Sequence, residues 1–181
     1  MHLSREHLDA LFGVGYELTP SKYLSQPGQF LCAERVDLAT DKATIERVAI
    51  IGPVRAESQV ELSRTDCFTL GLKNIPVLQS GQRRGTSIGD TMFVIRNGDS
   101  EVRLTECIIV AQRHIHLDTK AATKYKLRDG QIVSIKLDGE RGGIFDNTVV
   151  RVSDDYAPAV HIDSDEANAM GFVSGNVEIV V

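Results

Sequence analysis

The chain has 181 residues, somewhat long for one ordinary domain and short for two, since domains most often run about 100–150 residues. Hydrophobic residues make up 42% and charged residues 25%, the balance of a globular protein, which excludes disordered and fibrous classes. A net charge of −5 argues against a generic nucleic-acid binder, and no apolar run approaches the roughly 18 residues a membrane helix needs.

In chain order, Ser4 can cap a helix over 5–12, and a Val/Ile-rich strand follows at 47–51. A helix is predicted over 65–70, closed by Gly71. Strands follow at 92–95 and 108–111, the first running into Asn97-Gly98, a dipeptide that suits a tight hairpin turn. Asp118 can cap a helix over 119–125. Strands at 131–137 and 148–152 flank the turn dipeptide Asp138-Gly139, and a helix over 164–170 ends at Gly171 before a last strand at 177–181. Short strands with a few short helices point to barrels or a sandwich, not a doubly wound sheet.

The chain also repeats itself. His2-Leu3-Ser4 before a helix matches His116-Leu117-Asp118 before a helix. Val60-Glu61-Leu62-Ser63, leading to Leu70-Gly71-Leu72, matches Val160-His161-Ile162-Asp163, leading to Met170-Gly171-Phe172. Two matches in the same order describe a duplication: a mainly β chain of two related small β-barrel domains, 1–105 and 106–181, capped by short helices. The interval from 2 to 61 exceeds that from 116 to 161, which places an extra loop in the first half near Ser25-Gln26-Pro27-Gly28-Gln29-Phe30.

His114-Ile115-His116 is the first candidate for chemistry. On a strand, residues two apart share a face, so the two imidazoles stand side by side as a metal-binding edge or as part of a solvated face. His161, at the repeat position of Glu61, is a third ligand that would complete a site with an open position, and it favours the metal reading. His2 and Glu61 would be the sister pair; alone, each is as well explained as a terminal residue and a surface carboxylate. Arg55, in Gly52-Pro53-Val54-Arg55, offers a planar fork for phosphate or carboxylate. Lys22, Lys42, Arg83, Arg84 and Arg113 are further basics for an anionic ligand. Gly13-Val14-Gly15 follows a helix and is no dinucleotide fingerprint. Nothing local marks a covalent nucleophile. Cys32, Cys67 and Cys107 are too few for a disulfide scaffold and suit a reducing compartment.

Several stretches together resemble the PduL-type phosphotransacylases (phosphate propanoyltransferases): Gln112-Arg113-His114-Ile115-His116-Leu117, Val60-Glu61-Leu62-Ser63-Arg64-Thr65-Asp66, Leu24-Ser25-Gln26-Pro27-Gly28-Gln29-Phe30, Gly139-Glu140-Arg141-Gly142 and His161-Ile162-Asp163-Ser164-Asp165-Glu166-Ala167-Asn168. The likeness runs in order through essentially the whole chain. It implies two helix-capped β-barrels, a two-zinc site, and reversible acyl transfer between coenzyme A and phosphate. It also implies His114, His116 and His161 as ligands of a zinc near the CoA sulfur, with His2 and Glu61 on a zinc nearer phosphate. Arg55 is implied as the phosphate contact, and Asn168, with Lys22 and Lys42 as weaker matches, as CoA contacts. The setting implied is the bacterial cytoplasm, in some members within a microcompartment, with small-molecule substrates and neither nucleic acid nor membrane as partner; homo-oligomerisation is left open.

The departure is at the start. The family pattern runs Ser-Ala-Arg-His-x-His-Leu-Ser, and here only His2 stands, behind Met1. The expectation is a first strand and a first ligand missing, no encapsulation segment, and weak or absent zinc at that site unless the Met1 amino group or water substitutes. Rival readings are a zinc hydrolase that activates water at the three histidines, and a non-catalytic structural subunit.

Overall fold

The computed structural model describes residues 1–82, 86–89, 91–172 and 174–180. Arg83 and Arg84, considered above as anion-binding basics, and Val181, at the end of the last predicted strand, lie outside the described residues. The elements run α1 (Arg5–Phe12), β1 (Pro20–Tyr23), β2 (Phe30–Thr40), β3 (Thr44–Gly52), β4 (Val60–Leu62), α2 (Arg64–Thr69), β5 (Val77–Leu78), β6 (Phe93–Asn97), β7 (Ser100–Leu104) and β8 (Ile108–Ala111). They continue β9 (His114–Leu117), α3 (Thr119–Tyr125), β10 (Ile132–Leu137), β11 (Gly143–Val152), β12 (Ala159–His161), α4 (Ser164–Met170) and β13 (Val177–Val180). Strand outweighs helix, 42% to 16%, so the mainly β expectation holds. No described helix is long and apolar enough to cross a membrane.

The chain forms two compact units: Met1–Leu24 with Gly28–Ala111, and Ser25–Pro27 with Gln112–Val181. The expected boundary near residue 106 falls just ahead of β8, which pairs in parallel with both β4 and β5 and so stays with the first unit. Ser25–Pro27, the tip of the predicted extra loop, groups with the second unit.

In the first unit, β2 carries one sheet, paired with β1, β3 and β6, while β7 extends the far side. Its core gathers Leu3, Leu8, Leu11, Leu38, Ile50, Leu70, Phe93, Ile95 and Ile108, each almost wholly shielded from water. β2 is the longest described strand and went unpredicted, because Glu34 stands among the alternating apolar positions Cys32, Val36 and Leu38. Its register against β3 shifts twice, between Leu31/Arg35 and Val36/Leu38, which is how a strand with such a pattern stays in a sheet. A tight hairpin joins β6 and β7 one residue later than expected: Asn97 pairs with Ser100, so Gly98, at φ 58 where a side chain would be strained, and Asp99 make the turn.

The second unit is one five-stranded sheet in the order β12-β9-β11-β10-β13, packed over Ile115, Leu117, Val133, Ile135, Leu137 and Val150. All four described helices have side-chain N-caps that satisfy orphan N–H groups, at Ser4, Ser63, Asp118 and Asp163. Asp138-Gly139 does not make a two-residue turn: Leu137 pairs with Gly143, so the connection is longer. Gly171 closes α4 at φ 61 and donates to Asn168 O, as its left-handed position requires.

The residues matched by the sequence repeat share a pairing pattern. His2 bridges Gln59 antiparallel, two residues before Glu61, and His116 pairs with Ala159 antiparallel, two residues before His161. On the other side, Leu3 O accepts from Arg55 N and Leu117 O accepts from Ser153 N, each at a parallel neighbour.

Candidate metal centre

Every candidate ligand but His114 stands two residues ahead of a helix N-cap. His2-Leu3-Ser4, Glu61-Leu62-Ser63, His116-Leu117-Asp118 and His161-Ile162-Asp163 share one pattern: ligand-type side chain, apolar residue, cap. Leu3, Leu62 and Leu117 are buried in their cores, and Ile162 packs against its own. Period-two alternation then turns the ligand residue to the opposite face. The caps fix where each strand stops: Ser4 Oγ accepts from His7 N at 3.2 Å, Ser63 Oγ from Asp66 N at 3.0 Å, and Asp163 Oδ1 from Glu166 N at 2.8 Å.

In the second unit this geometry brings three imidazoles together. β9 presents His114 and His116, and β12 places His161 opposite His114. Ligand nitrogens of the three lie within 4.8 Å of one another. His114 and His116 are each only 7% exposed, which removes the solvated-face reading of His-x-His. His114 Nδ1 donates to Gln112 O at 2.7 Å, making Nε2 its ligand atom. His161 Nε2 lies 3.4 Å from Gln26 Nε2, and the Gln26 amide also donates to Ala157 O at 3.0 Å. Both nitrogens of His116 are buried without a hydrogen-bond partner. Leaving one such group unpaired costs about 1–3 kcal/mol, so the ring is suited to a partner that is not protein.

Burial and neighbouring charge keep two of these rings, His116 and His161, unprotonated. Burial, then the neighbouring His114 and His161 and the Arg151 guanidinium, push His116 down to about 3. Burial, then His114 and Arg151, take His161 to about 4. Both are neutral at pH 7, the form in which imidazole binds a metal. Three nitrogen donors around one point fit a borderline divalent ion with an open fourth position.

The first unit holds a smaller grouping. His2, 4% exposed, lies with Nε2 3.9 Å from Glu61 Oε1, which is itself buried without a hydrogen-bond partner. Burial and then the Arg55 charge lower His2 to about 4, against the pull of Glu61. The Met1 amino group donates to Ala49 O at 3.1 Å. Arg55 Nη1 donates to Ser80 Oγ at 3.1 Å, and Arg55 lines a cavity of about 480 Å³ with Ser58, Gln59, Gly81 and Cys107. Among the described residues, the three histidines are the one group of three metal-ligand side chains.

The CoA candidates are placed more loosely. Lys22 is exposed on β1, and Asn168 is exposed on α4. Lys42 Nζ donates to Phe68 O at 2.9 Å and sits over the Phe68 ring. Gln26, Arg151 and Tyr156 surround the three imidazoles and were missed as site residues. Gln26 had a signal, since it lies in one of the motifs that carry the resemblance; Arg151 and Tyr156 had none, being a basic residue in a strand and an aromatic in a polar turn.

A mainly β chain that gathers three imidazoles around one point, two of them buried, defines a candidate metalloprotein. The chain belongs to the phosphate propanoyltransferase family, a family of transferases: the model with that description matches residues 1–173. It is 50% identical over 175 residues to the phosphate propanoyltransferase of Enterococcus faecalis, covering 97% of this chain and 81% of that protein. The phosphate propanoyltransferase of Clostridioides difficile is 47% identical over 181 residues, covering 100% of this chain and 84% of the other. That of Listeria monocytogenes is 47% identical over 175 residues, covering 97% and 80%.

Proposed function

We propose that this chain is a phosphate acyltransferase that moves an acetyl or propanoyl group reversibly between coenzyme A and phosphate, with zinc held by His114, His116 and His161. Family membership supports the phosphotransacylase activity. The observation that carries the metal is His116, whose two nitrogens are buried and unpartnered inside a cluster of three imidazoles.

Phosphate is strongly hydrated and a poor nucleophile, so it must be desolvated and aimed. Arg55 can do both, because its fork can present paired N–H donors to two phosphate oxygens at the wall of its cavity. The second unit has a cavity of about 930 Å³ with His161, Ser25, Ala167 and Phe172 in its lining, a size that accepts the arm of a thioester substrate. Zinc, when bound by the three histidines, supplies a Lewis acid for the charge that grows on the thioester oxygen or departing sulfur. Transfer is direct: a phosphate oxygen forms the bond to the thioester carbonyl carbon, the carbon–sulfur bond breaks, and CoA leaves as thiolate. No acyl-enzyme is needed. His2 and Glu61 are two ligands of a second, phosphate-side metal site, and Asn168, Lys22 and Lys42 are the CoA contacts.

The test is release of free CoA from propanoyl-CoA with and without phosphate, with acyl phosphate trapped as the hydroxamate. Phosphate-dependent release with matching hydroxamate is expected. Release at the same rate without phosphate would instead be hydrolysis, and an acyl-protein adduct in a single turnover would rule out direct transfer.

A further inference from the structure

The three imidazoles are not held alike. His114 is fixed by its hydrogen bond to Gln112 O, and His161 by the approach of the Gln26 amide. His116 has no hydrogen bond at either nitrogen, yet it is buried in the middle of the group. The terminal torsion of a histidine is broad, so an unbonded ring can turn unless something else holds its plane. Tyr156 lies flat on it: the ring centroids are 3.9 Å apart and the planes differ by 14°.

Tyr156 is itself held. Its hydroxyl accepts from Arg151 Nη2 at 3.1 Å, and the guanidinium carbon lies 5.6 Å from the ring centroid. Arg151 pairs with His116 across the parallel register of β11 and β9, so the imidazole and the base of the Tyr156 anchor share one stretch of sheet. A ring stacked face-on fixes a plane without occupying either nitrogen at the edge. That is the support a ligand needs when no carbonyl or carboxylate is within reach of its second nitrogen.

We infer that Tyr156 is a positioning residue of the metal centre, doing for His116 by stacking what Gln112 O does for His114 by hydrogen bonding. The inference rests on the three-histidine metal reading above. It assigns the outer support of the centre to an aromatic face and names the residue that carries it.

Cobalt(II) is the probe, because its affinity can be measured by chelator competition on the full chain and its visible bands report ligand geometry. Loss of an outer partner of a ligating histidine typically weakens metal binding about 10–100-fold, and Tyr156→Leu is expected to fall in that range with altered bands. Tyr156→Phe keeps the ring and should stay within a few-fold of the parent, which a role in folding alone would not distinguish. Thermal melts of the metal-free forms check that each variant folds. If Tyr156→Leu does not fold, Tyr156→Met removes the ring at similar volume and takes its place. Parent-like cobalt affinity in the ringless variant, or a Phe variant as weak as it, overturns the inference. A parent chain that takes up no cobalt removes the metal reading and the inference together, whereas parent uptake with unchanged Leu binding removes only the inference.

Discussion

Arg113 Nε sits 2.7 Å from Glu166 Oε1, and the other oxygen of the same carboxylate accepts from Asp163 N at 3.0 Å. One side chain thus ties the residue before His114 to the N-cap two residues after His161. Its head group is largely shielded, and burial pushes the Glu166 carboxyl above its usual value in spite of Arg113. The charge therefore contributes little net stability, since desolvation offsets the pairing. Glu166→Gln keeps the shape but only one of the two acceptor oxygens, its amide nitrogen facing an N–H donor, and is expected to cost about 1 kcal/mol in a denaturant melt. Glu166→Ala strands the Arg113 donor and the Asp163 N–H and should cost about 2–3 kcal/mol while weakening metal uptake. Equal losses for the two variants would contradict this.

The arginine beside His2 and Glu61 should act on phosphate alone. Arg55→Gln is expected to lower kcat/KM for phosphate about 10–100-fold, the loss of one or two charge-assisted hydrogen bonds, while the KM for propanoyl-CoA hardly moves. Steady-state kinetics with each substrate varied in turn measures it. A rise in the KM for propanoyl-CoA with phosphate kinetics intact would place Arg55 elsewhere in the reaction.

Acid should destabilise the metal-free chain. His116 and His161 titrate at about 3 and 4 when folded, and His2 at about 4, against about 6.5 for a free imidazole. As pH falls below about 6.5 the unfolded chain takes up protons that the folded chain refuses, so stability declines toward pH 4; well above pH 6.5 the three contribute nothing to the slope. The melting temperature of metal-free protein should be lower at pH 5 than at pH 7, and His116→Phe should flatten that difference. A metal-free parent no less stable at pH 5, or a variant with the parent's slope, would show that these rings titrate normally.

Much of the site was legible because its grammar is local. The Ser and Asp caps, and the apolar residue between cap and ligand, are sequence neighbours, so helices such as Arg5–Phe12 and Thr119–Tyr125 match their predicted bounds. His161 was found through the repeat, which stands in for a contact that no local pattern shows. Its pairing with His114 across β9 and β12 needs the fold. Gln26 lies far from His161 in sequence and reaches it only because Ser25–Pro27 packs with the second unit. Tyr156 gives no periodic signal in its turn, and its stacking on His116 is a tertiary fact. β2 was hidden by the charge of Glu34, which its register shift between Leu31 and Arg35 accommodates.

The most direct test of a catalytic metal at His114, His116 and His161 is zinc titration of chelator-treated protein, read as phosphate-dependent CoA release from propanoyl-CoA. Activity is expected to be lost on chelation and to return on adding zinc, and to return hardly at all in His116→Ala. Full activity in protein stripped of metal, or full zinc rescue of His116→Ala, would contradict a catalytic centre built on the three histidines.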